Sequence, residues 1–351
     1  MGRVVTITAP RQVVLEDIAD PPLGPHDVRI ATIASGISAG TELASYRGSN
    51  PYLSKRWDAR RRLFDTSAEP SLAYPLRGIG YEEVGRVVET GTEVDAARVG
   101  DLVYGTWGHR SHHVMAANEA LARRLPAGLE PRLGIFSHIG AVALNGVHDA
   151  AVRIGEAVAV FGLGVPGQIV AQLCARSGAH VIGVDPLAGR REAASALTAI
   201  EVGLDPADGS PAEAIKALTS GRGADVVIEV SGSGAALHEA IRAAAYSATV
   251  VAMGFVQGEA RGLLLGDEFH HNRVTVRSSQ ISGVAPELAY RWDKARLART
   301  ALTLVADGTL DLAPLITHTF DVEDAAEAYR LLDQAPHEAL QVVLTFPEAD
   351  A

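Results

Sequence analysis

Cysteine is nearly absent: Cys174 is the one thiol in 351 residues, which excludes an internal disulfide framework and fits a reducing compartment. Long apolar runs are missing too. No stretch reaches the roughly 20 residues needed to cross a bilayer, so no membrane partner is expected. Basic blocks are scarce: 31 Lys and Arg stand against 42 Asp and Glu, for a formal net charge of −11, and only Arg60-Arg61-Arg62 forms a basic run. Nucleic acid is therefore a poor partner. The chain start runs straight into strand-like Arg3 to Thr8 without a basic-then-apolar leader pattern, and a cytoplasmic location is the expectation. Internal repeats and low-complexity tracts are absent.

What remains is an ordinary globular composition, 47% apolar and 21% charged with 35 Gly, in a chain long enough for two domains. Its most informative stretch is Val158-Ala159-Val160-Phe161-Gly162-Leu163-Gly164-Val165-Pro166-Gly167. An apolar strand runs directly into G-x-G-x-x-G, a helical pattern follows (Ile169, Val170, Leu173, Cys174), and a second strand, Ala179 to Val184, ends at Asp185. In that context the glycines read as a dinucleotide fingerprint. Gly162 permits the tight turn, Gly164 lets backbone approach a pyrophosphate, and Gly167 lets helix and strand lie close. The helix start offers unpaired N–H groups to phosphate. Asp185 is placed to accept from a ribose 2′-hydroxyl and to repel a 2′-phosphate, which favours NAD over NADP. Arg190 either packs on the adenosine, neutralises phosphate, or is a solvated helix residue. Cys174, on the apolar face of that helix, reads as a structural thiol.

Along the chain, residues 1 to about 130 are β-rich: Val4 to Thr8, Val13 to Asp17, Val28 to Ala34, Val84 to Glu89, Leu102 to Tyr104 and His113 to Ala116. Between Tyr46 and Arg77 lies a long irregular polar segment, either a substrate cover or a surface excursion. From about 135 to 285, apolar strands (Ala157 to Phe161, His180 to Val184, Asp225 to Val230, Thr249 to Met253, Val274 to Ser278) alternate with helices, predicting a parallel sheet covered on both faces. Ser231-Gly232 and Gly254 fall at the carboxyl edge of that sheet, where a dinucleotide lies. Helical segments follow at Pro286 to Ala306 and Val322 to Gln334, then a last strand, Leu340 to Phe346.

Four motifs, Gly36-Ile37-Ser38-Ala39-Gly40-Thr41-Glu42, Gly80-Tyr81-Glu82-Glu83-Val84-Gly85, Val99-Gly100-Asp101-Leu102-Val103 and the glycine loop, resemble the medium-chain dehydrogenase/reductase superfamily of zinc-type alcohol dehydrogenases over nearly the whole chain. The resemblance implies an α/β protein: a GroES-like β-rich catalytic domain from 1–133 and 287–351, and a Rossmann doubly wound NAD-binding domain from 134–286. It also implies a substrate cleft between them, Ser279-Gln280 holding the nicotinamide carboxamide, and a homodimer. The metal positions depart from the family. Where zinc-dependent members carry a ligand cysteine this chain has Ser38 or Ala39, where they carry the histidine of G-H-E it has Tyr81, and the third position falls at Ser137. The four cysteines of a structural zinc lobe are missing altogether. Neutral hydroxyls are poor zinc ligands, so no metal is expected. A rebuilt site from His138, Glu82 and His148 is the alternative. His109, His112 and His113 look like a second cluster, although neighbours on a strand face opposite sides. The pairing of S-x-G-T-E with G-Y-E resembles the branch around bacteriochlorophyllide a dehydrogenase and its non-photosynthetic relatives.

Without a metal, alcohol/ketone hydride transfer needs a donor at the developing alkoxide and a proton path. Tyr81 is the first candidate: its phenol donates to an oxyanion and, if its pKa is lowered, relays a proton. A Tyr81 that merely fills the vacated volume is the alternative. By resemblance Thr41 occupies a proton-passing position; otherwise it caps the helix that follows. Glu42 and Glu82 orient these hydroxyls, act as bases, or are simply ion-paired. Ser38 and His138 complete the catalytic candidates. Secondary alcohol/ketone interconversion on a small molecule is the leading expectation, with reduction of an activated C=C or C=N bond, or an idle NAD(H)-binding sensor or scaffold, as rivals.

Overall fold

The computed structural model describes residues 2–347. The chain divides into two compact units, one running through His138 and resuming at Ile316, the other Ile139–Leu315.

The second unit is built on six parallel strands in the order Val202–Leu204, His180–Val184, Ala157–Phe161, Ala224–Glu229, Ala244–Ala252 and Thr275–Ser278. Numbered along the chain this is 3-2-1-4-5-6, the order of dinucleotide-binding sheets, which reverses direction between Ala157–Phe161 and Ala224–Glu229. The strands are apolar because both faces are covered: Ala159, Phe161, Val227 and Val250 share one core with Ile215, Leu237 and Ile241 of the helices Pro211–Leu218 and Gly234–Ala243. The third strand was not foreseen. It is three residues long, sits at the sheet edge and leaves Gly203 exposed, so it carries little apolar pattern.

In the first unit, Ile316–Asp321, Gln341–Thr345, Asp27–Ile37, Glu83–Thr90 and Leu102–Gly105 form one sheet, with His112–Ala116 also paired to Asp27–Ile37. A smaller sheet joins Gln12–Ile18, Gly2–Ala9 and Leu76–Arg77. One core gathers Val5, Ile7, Ile37, Leu43, Tyr46, Tyr329 and Val342, so the C-terminal return is packed against the first strand and the helix Thr41–Arg47. Part of the irregular 46–77 segment is ordered: Arg56–Asp58 and Leu63–Asp65 make a two-stranded hairpin, with Trp57 edge-on to Phe64 at 5.0 Å.

The unit boundaries differ from those expected. The first falls inside the helix Phe136–Ala150, an element the sequence reading missed, and the second at 315/316 instead of 286/287. Residues 287–315 belong with the second unit because the helix Lys294–Ala306 buries Leu297 and Leu302 completely, at about 1.5–3 kcal/mol for each side chain. Asp311 is tied to the same unit, its N–H donating to Gln172 Oε1 at 2.9 Å and its carbonyl accepting from Gln172 Nε2 at 3.1 Å. The expected helix over 286–306 is broken into a 3-10 turn, Pro286–Leu288, and Lys294–Ala306 capped by Asp293. The second, from Val322, opens as a 3-10 turn and becomes α-helical over Ala325–Gln334. The strand Ile316–Asp321 was also missed: its residues alternate half-buried and exposed, with Thr317, Thr319 and Asp321 on the open face.

Candidate active site

At the carboxyl edge of the parallel sheet, two glycines answer to the fold. Gly162 has φ +94°, and a Cβ there would lie 2.8 Å from the Ser231 nitrogen; a Cβ on Gly167 would lie 1.9 Å from the Gly162 oxygen. Gly164 differs. Its φ is −65°, and the nearest atom to an added Cβ is Arg190 Nη1 at 3.8 Å. Neither backbone nor packing asks for glycine at 164, so the open space above it is a property of the turn. Val165 and Pro166 form the first turn of the helix Val165–Arg176, where a missing proline N–H costs nothing.

Asp185 is buried and both oxygens are engaged: Oδ2 accepts the Leu163 N–H at 2.8 Å and Oδ1 the Leu187 N–H at 2.9 Å, with Arg190 Nη1 at 3.6 Å from Oδ2. Each carboxylate oxygen has a second lone pair, so its accepting capacity is not exhausted. Two buried residues the sequence reading missed brace this edge. Gln168 Nε2 donates to the Leu163 and Arg190 carbonyls at 3.0 and 2.8 Å. Glu229 Oε1 accepts from the Ser231 N–H, the Ser231 hydroxyl and the Gly232 N–H at 2.7, 2.5 and 3.0 Å. Gly254 is required by close approach, since a Cβ would sit 2.1 Å from the Gly232 nitrogen. The Ser279 N–H continues the sheet edge by donating to the Ala252 carbonyl at 3.0 Å, and Gln280 Oε1 accepts the Ser282 N–H at 2.6 Å. Loop, Ser231, Gly254 and Ser279 thus follow the ends of strands one, four, five and six.

In the β-rich unit, Tyr81, Ser38 and Thr41 come together. The Tyr81 hydroxyl donates to Ser38 Oγ at 2.5 Å, the Thr41 hydroxyl is a second partner, and the Tyr81 ring lies 4.8 Å from that of His138. Burial, then the charge of Glu82, pushes the Tyr81 pKa well up. This corrects the idea of a lowered phenol: Tyr81 is held neutral and is a hydrogen-bond donor. Thr41 is not the helix cap. Gly40 is the N-cap residue of Thr41–Arg47, without a side-chain cap, and Thr41 is exposed in the first turn. Glu82 is 1% exposed and its Oε2 has no partner. Burial, then the neighbouring Glu42 and Glu83, raises its pKa well above the usual carboxylate range.

The histidines disperse. His109 is fully buried against Glu42, His112 pairs with Asp20 at 3.0 Å, and His113 stacks on Trp107 at 5.4 Å. His148, of the proposed rebuilt metal site, lies edge-on to Trp292 at 4.4 Å. Among the described residues no group of three or more His, Cys, Asp and Glu could hold a metal ion, and no helix is long and apolar enough to cross a membrane.

Glu83, buried beside this cluster, accepts the Trp107 N–H at 2.7 Å, and burial pushes its pKa up to about 7 against the attraction of His109. Between pH 4.5 and about 7 the folded carboxyl keeps a proton that the unfolded chain has released, so its contribution to stability is full below pH 4.5 and is lost as pH rises toward 7. Glu83→Gln keeps an acceptor but does not titrate. We expect its thermal midpoint to gain on the wild type by several degrees between pH 5 and pH 7.5, on the order of 2 kcal/mol. A gap that stays constant with pH would show that Glu83 does not titrate there.

A 3-2-1-4-5-6 parallel sheet with a glycine turn at its reversal point, in one chain with a β-rich unit, defines the class of two-unit dehydrogenases. Residues 166–296 match the family of zinc-binding dehydrogenases. D-guloside 3-dehydrogenase of Escherichia coli K12 is 32% identical over 346 residues, covering 97% of this chain and 98% of the relative. Two solved structures share the fold at TM-score 0.77: the NADH complex of a short chain alcohol dehydrogenase from Escherichia coli CFT073, 20% identical, and an NADP-bound dehydrogenase from Sinorhizobium meliloti 1021, 21% identical, each covering 98% of this chain and 99% of the other. The chain belongs to the zinc-type alcohol dehydrogenase-like medium-chain dehydrogenase/reductase superfamily, and it is an oxidoreductase.

Proposed function

We propose that this enzyme interconverts a secondary alcohol and a ketone on a small molecule, with NAD(H) as cofactor and without zinc, as a cytoplasmic homodimer. The observation that carries the proposal is the hydroxyl cluster: Tyr81, where the family resemblance puts a ligand histidine, is hydrogen-bonded to Ser38, which with Ala39 is the candidate for the ligand-cysteine position. With the third position a buried serine, Ser137, this donor set does not fit zinc, which takes thiolate, imidazole or carboxylate. A neutral Tyr81 phenol supplies what the metal would otherwise provide, a hydrogen bond to the oxygen that gains charge; its one O–H turns from Ser38 Oγ to the substrate, and the Ser38 hydroxyl then donates to the phenol oxygen. Thr41, exposed beside it, supports a path for the proton to water.

A nicotinamide fits the other unit, where the open turn at Gly164 leaves room for a pyrophosphate and the helix start supplies N–H groups. When bound, it accepts or donates the hydride. Asp185 would hold the adenosine ribose, Ser231, Gly254, Ser279 and Gln280 would flank the rest, and Arg190, beside both Gly164 and Asp185, would face the phosphates. The name of the guloside-oxidising relative supports a sugar-type hydroxyl as substrate.

NADH formation on a panel of sugar and polyol alcohols, using protein purified without chelator, tests the proposal. Elemental analysis of the same sample should give well under one zinc per chain. Stoichiometric zinc that survives dialysis would sink the metal-free reading.

A further inference from the structure

Three distant stretches of chain meet at the carboxylate of Glu42. It is 3% exposed in the first turn of Thr41–Arg47, and its Oε1 accepts the Ser38 backbone N–H at 2.9 Å. Its Oε2 accepts the Tyr329 hydroxyl at 2.5 Å and pairs with His109 Nε2 at 2.7 Å. His109 is fixed in turn: Nδ1 meets Ser35 Oγ, its N–H donates to the Ile79 carbonyl at 2.9 Å, and its carbonyl accepts the Val5 N–H at 2.9 Å. Tyr329, fully buried on the helix Ala325–Gln334, lies 5.5 Å from the Tyr46 ring and edge-on to His109 at 6.3 Å.

A desolvated carboxylate needs its lone pairs filled, and here three donors fill them. Packing alone does not call for such a node, since apolar side chains of similar volume are often as stable. What an apolar cluster could not do is hold the Ser38 N–H. The helix start has no side-chain cap, and Glu42 reaches back from inside the first turn to do that work. The backbone it holds carries Ser38 Oγ, the acceptor of the Tyr81 hydroxyl.

We infer that Glu42, His109 and Tyr329 are positioning residues of the active site, acting through Ser38 to set the direction of the Tyr81 hydroxyl. The inference rests on the proposed donor role of Tyr81. Burial disfavours charge on His109, but the charge and hydrogen bond of Glu42, with Glu83, prevail and raise its pKa.

The test uses the full chain and an alcohol it oxidises. Tyr329→Phe deletes one donor to Glu42 and should lower kcat about 10-fold, with KM and NADH Kd within about twofold. In a Tyr81→Phe background the same substitution should cost nothing further, because its effect passes through Tyr81. Losses that multiply, or a Tyr329→Phe enzyme at wild-type rate beside a slow Tyr81→Phe, would overturn the anchor while leaving the donor role standing; a fully active Tyr81→Phe would overturn the donor role itself. Should Tyr329→Phe fold poorly, His109→Gln, which keeps a donor, should be faster than His109→Ala, and equal rates would count against the anchor. Independently of any substrate, a crystal structure of either variant should show the Tyr81–Ser38 contact opened beyond ~3.5 Å; an unchanged hydrogen bond would refute the inference.

Discussion

Asp185→Ala is expected to weaken NADH binding by roughly 30- to 100-fold, the loss of hydrogen bonds to a charged acceptor, while NADPH affinity changes by less than about threefold. The carboxylate does two things in the structure. It clamps the Leu163 and Leu187 amides at 2.8 and 2.9 Å, and in the proposed complex its remaining lone pairs receive the ribose hydroxyls. Alanine removes both. For NADPH the damage to the loop is offset by removal of a negative charge that opposes the 2′-phosphate. Fluorescence titration with each cofactor reads the two constants directly. Asp185→Asn separates the contributions, since it keeps one side-chain acceptor for the loop but carries no charge. An equal loss for both cofactors in the alanine variant would mean that Asp185 braces the loop and does not select the ribose.

The outcome matters because the fold does not choose between the two nicotinamides: the similar structures hold NADH in one case and NADP in the other. In the proposed NAD(H) complex, the discriminating residue is Asp185 at the tip of the second strand. That residue could be read from sequence because the whole fingerprint is local. Strand, glycine turn, helix and acid lie between Ala157 and Asp185, and each follows from short-range rules of periodicity and φ. The same holds for the Gly36–Glu42 and Gly80–Gly85 motifs, which brought Ser38, Thr41 and Tyr81 forward.

What the sequence hid was long-range. Tyr329 lies 287 positions from Glu42 and His109 lies 67. Nothing in the amphipathic pattern of Ala325–Gln334 separates a tyrosine that fills the core from one whose hydroxyl completes a carboxylate. Gln168 and Glu229 were passed over for a related reason: polar residues in apolar runs look like solvent positions until the turns they brace are in place. The domain boundary at 286/287 failed because helix periodicity gives a helix but not the unit whose core receives Leu297 and Leu302. Direction of titration was hidden as well. The motif offered a Tyr81 whose pKa could go either way, and only the surrounding burial and Glu82 decide that it rises.

That direction shapes the expectation for Tyr81→Phe. A phenol held neutral stabilises the reaction by donating to an oxygen that gains negative charge in the transition state, a contribution that costs about 10²- to 10³-fold in turnover when one such donor is removed. Phenylalanine retains the ring that packs 4.8 Å from His138, so the site keeps its shape and the loss falls on kcat. NADH affinity should stay within about twofold, because the proposed cofactor residues belong to the other unit. A phenolate relay would behave differently: its rate would climb with pH as the proton left, and the climb would vanish in the variant. With the Tyr81 pKa pushed up by burial and by Glu82, the expected alcohol-oxidation profile has no limb through neutral pH that Tyr81→Phe abolishes. Steady-state rates from pH 6 to 9 for both proteins decide the matter. Full activity in the variant would remove Tyr81 from the chemistry, and a lost pH limb would turn it from a donor into a base.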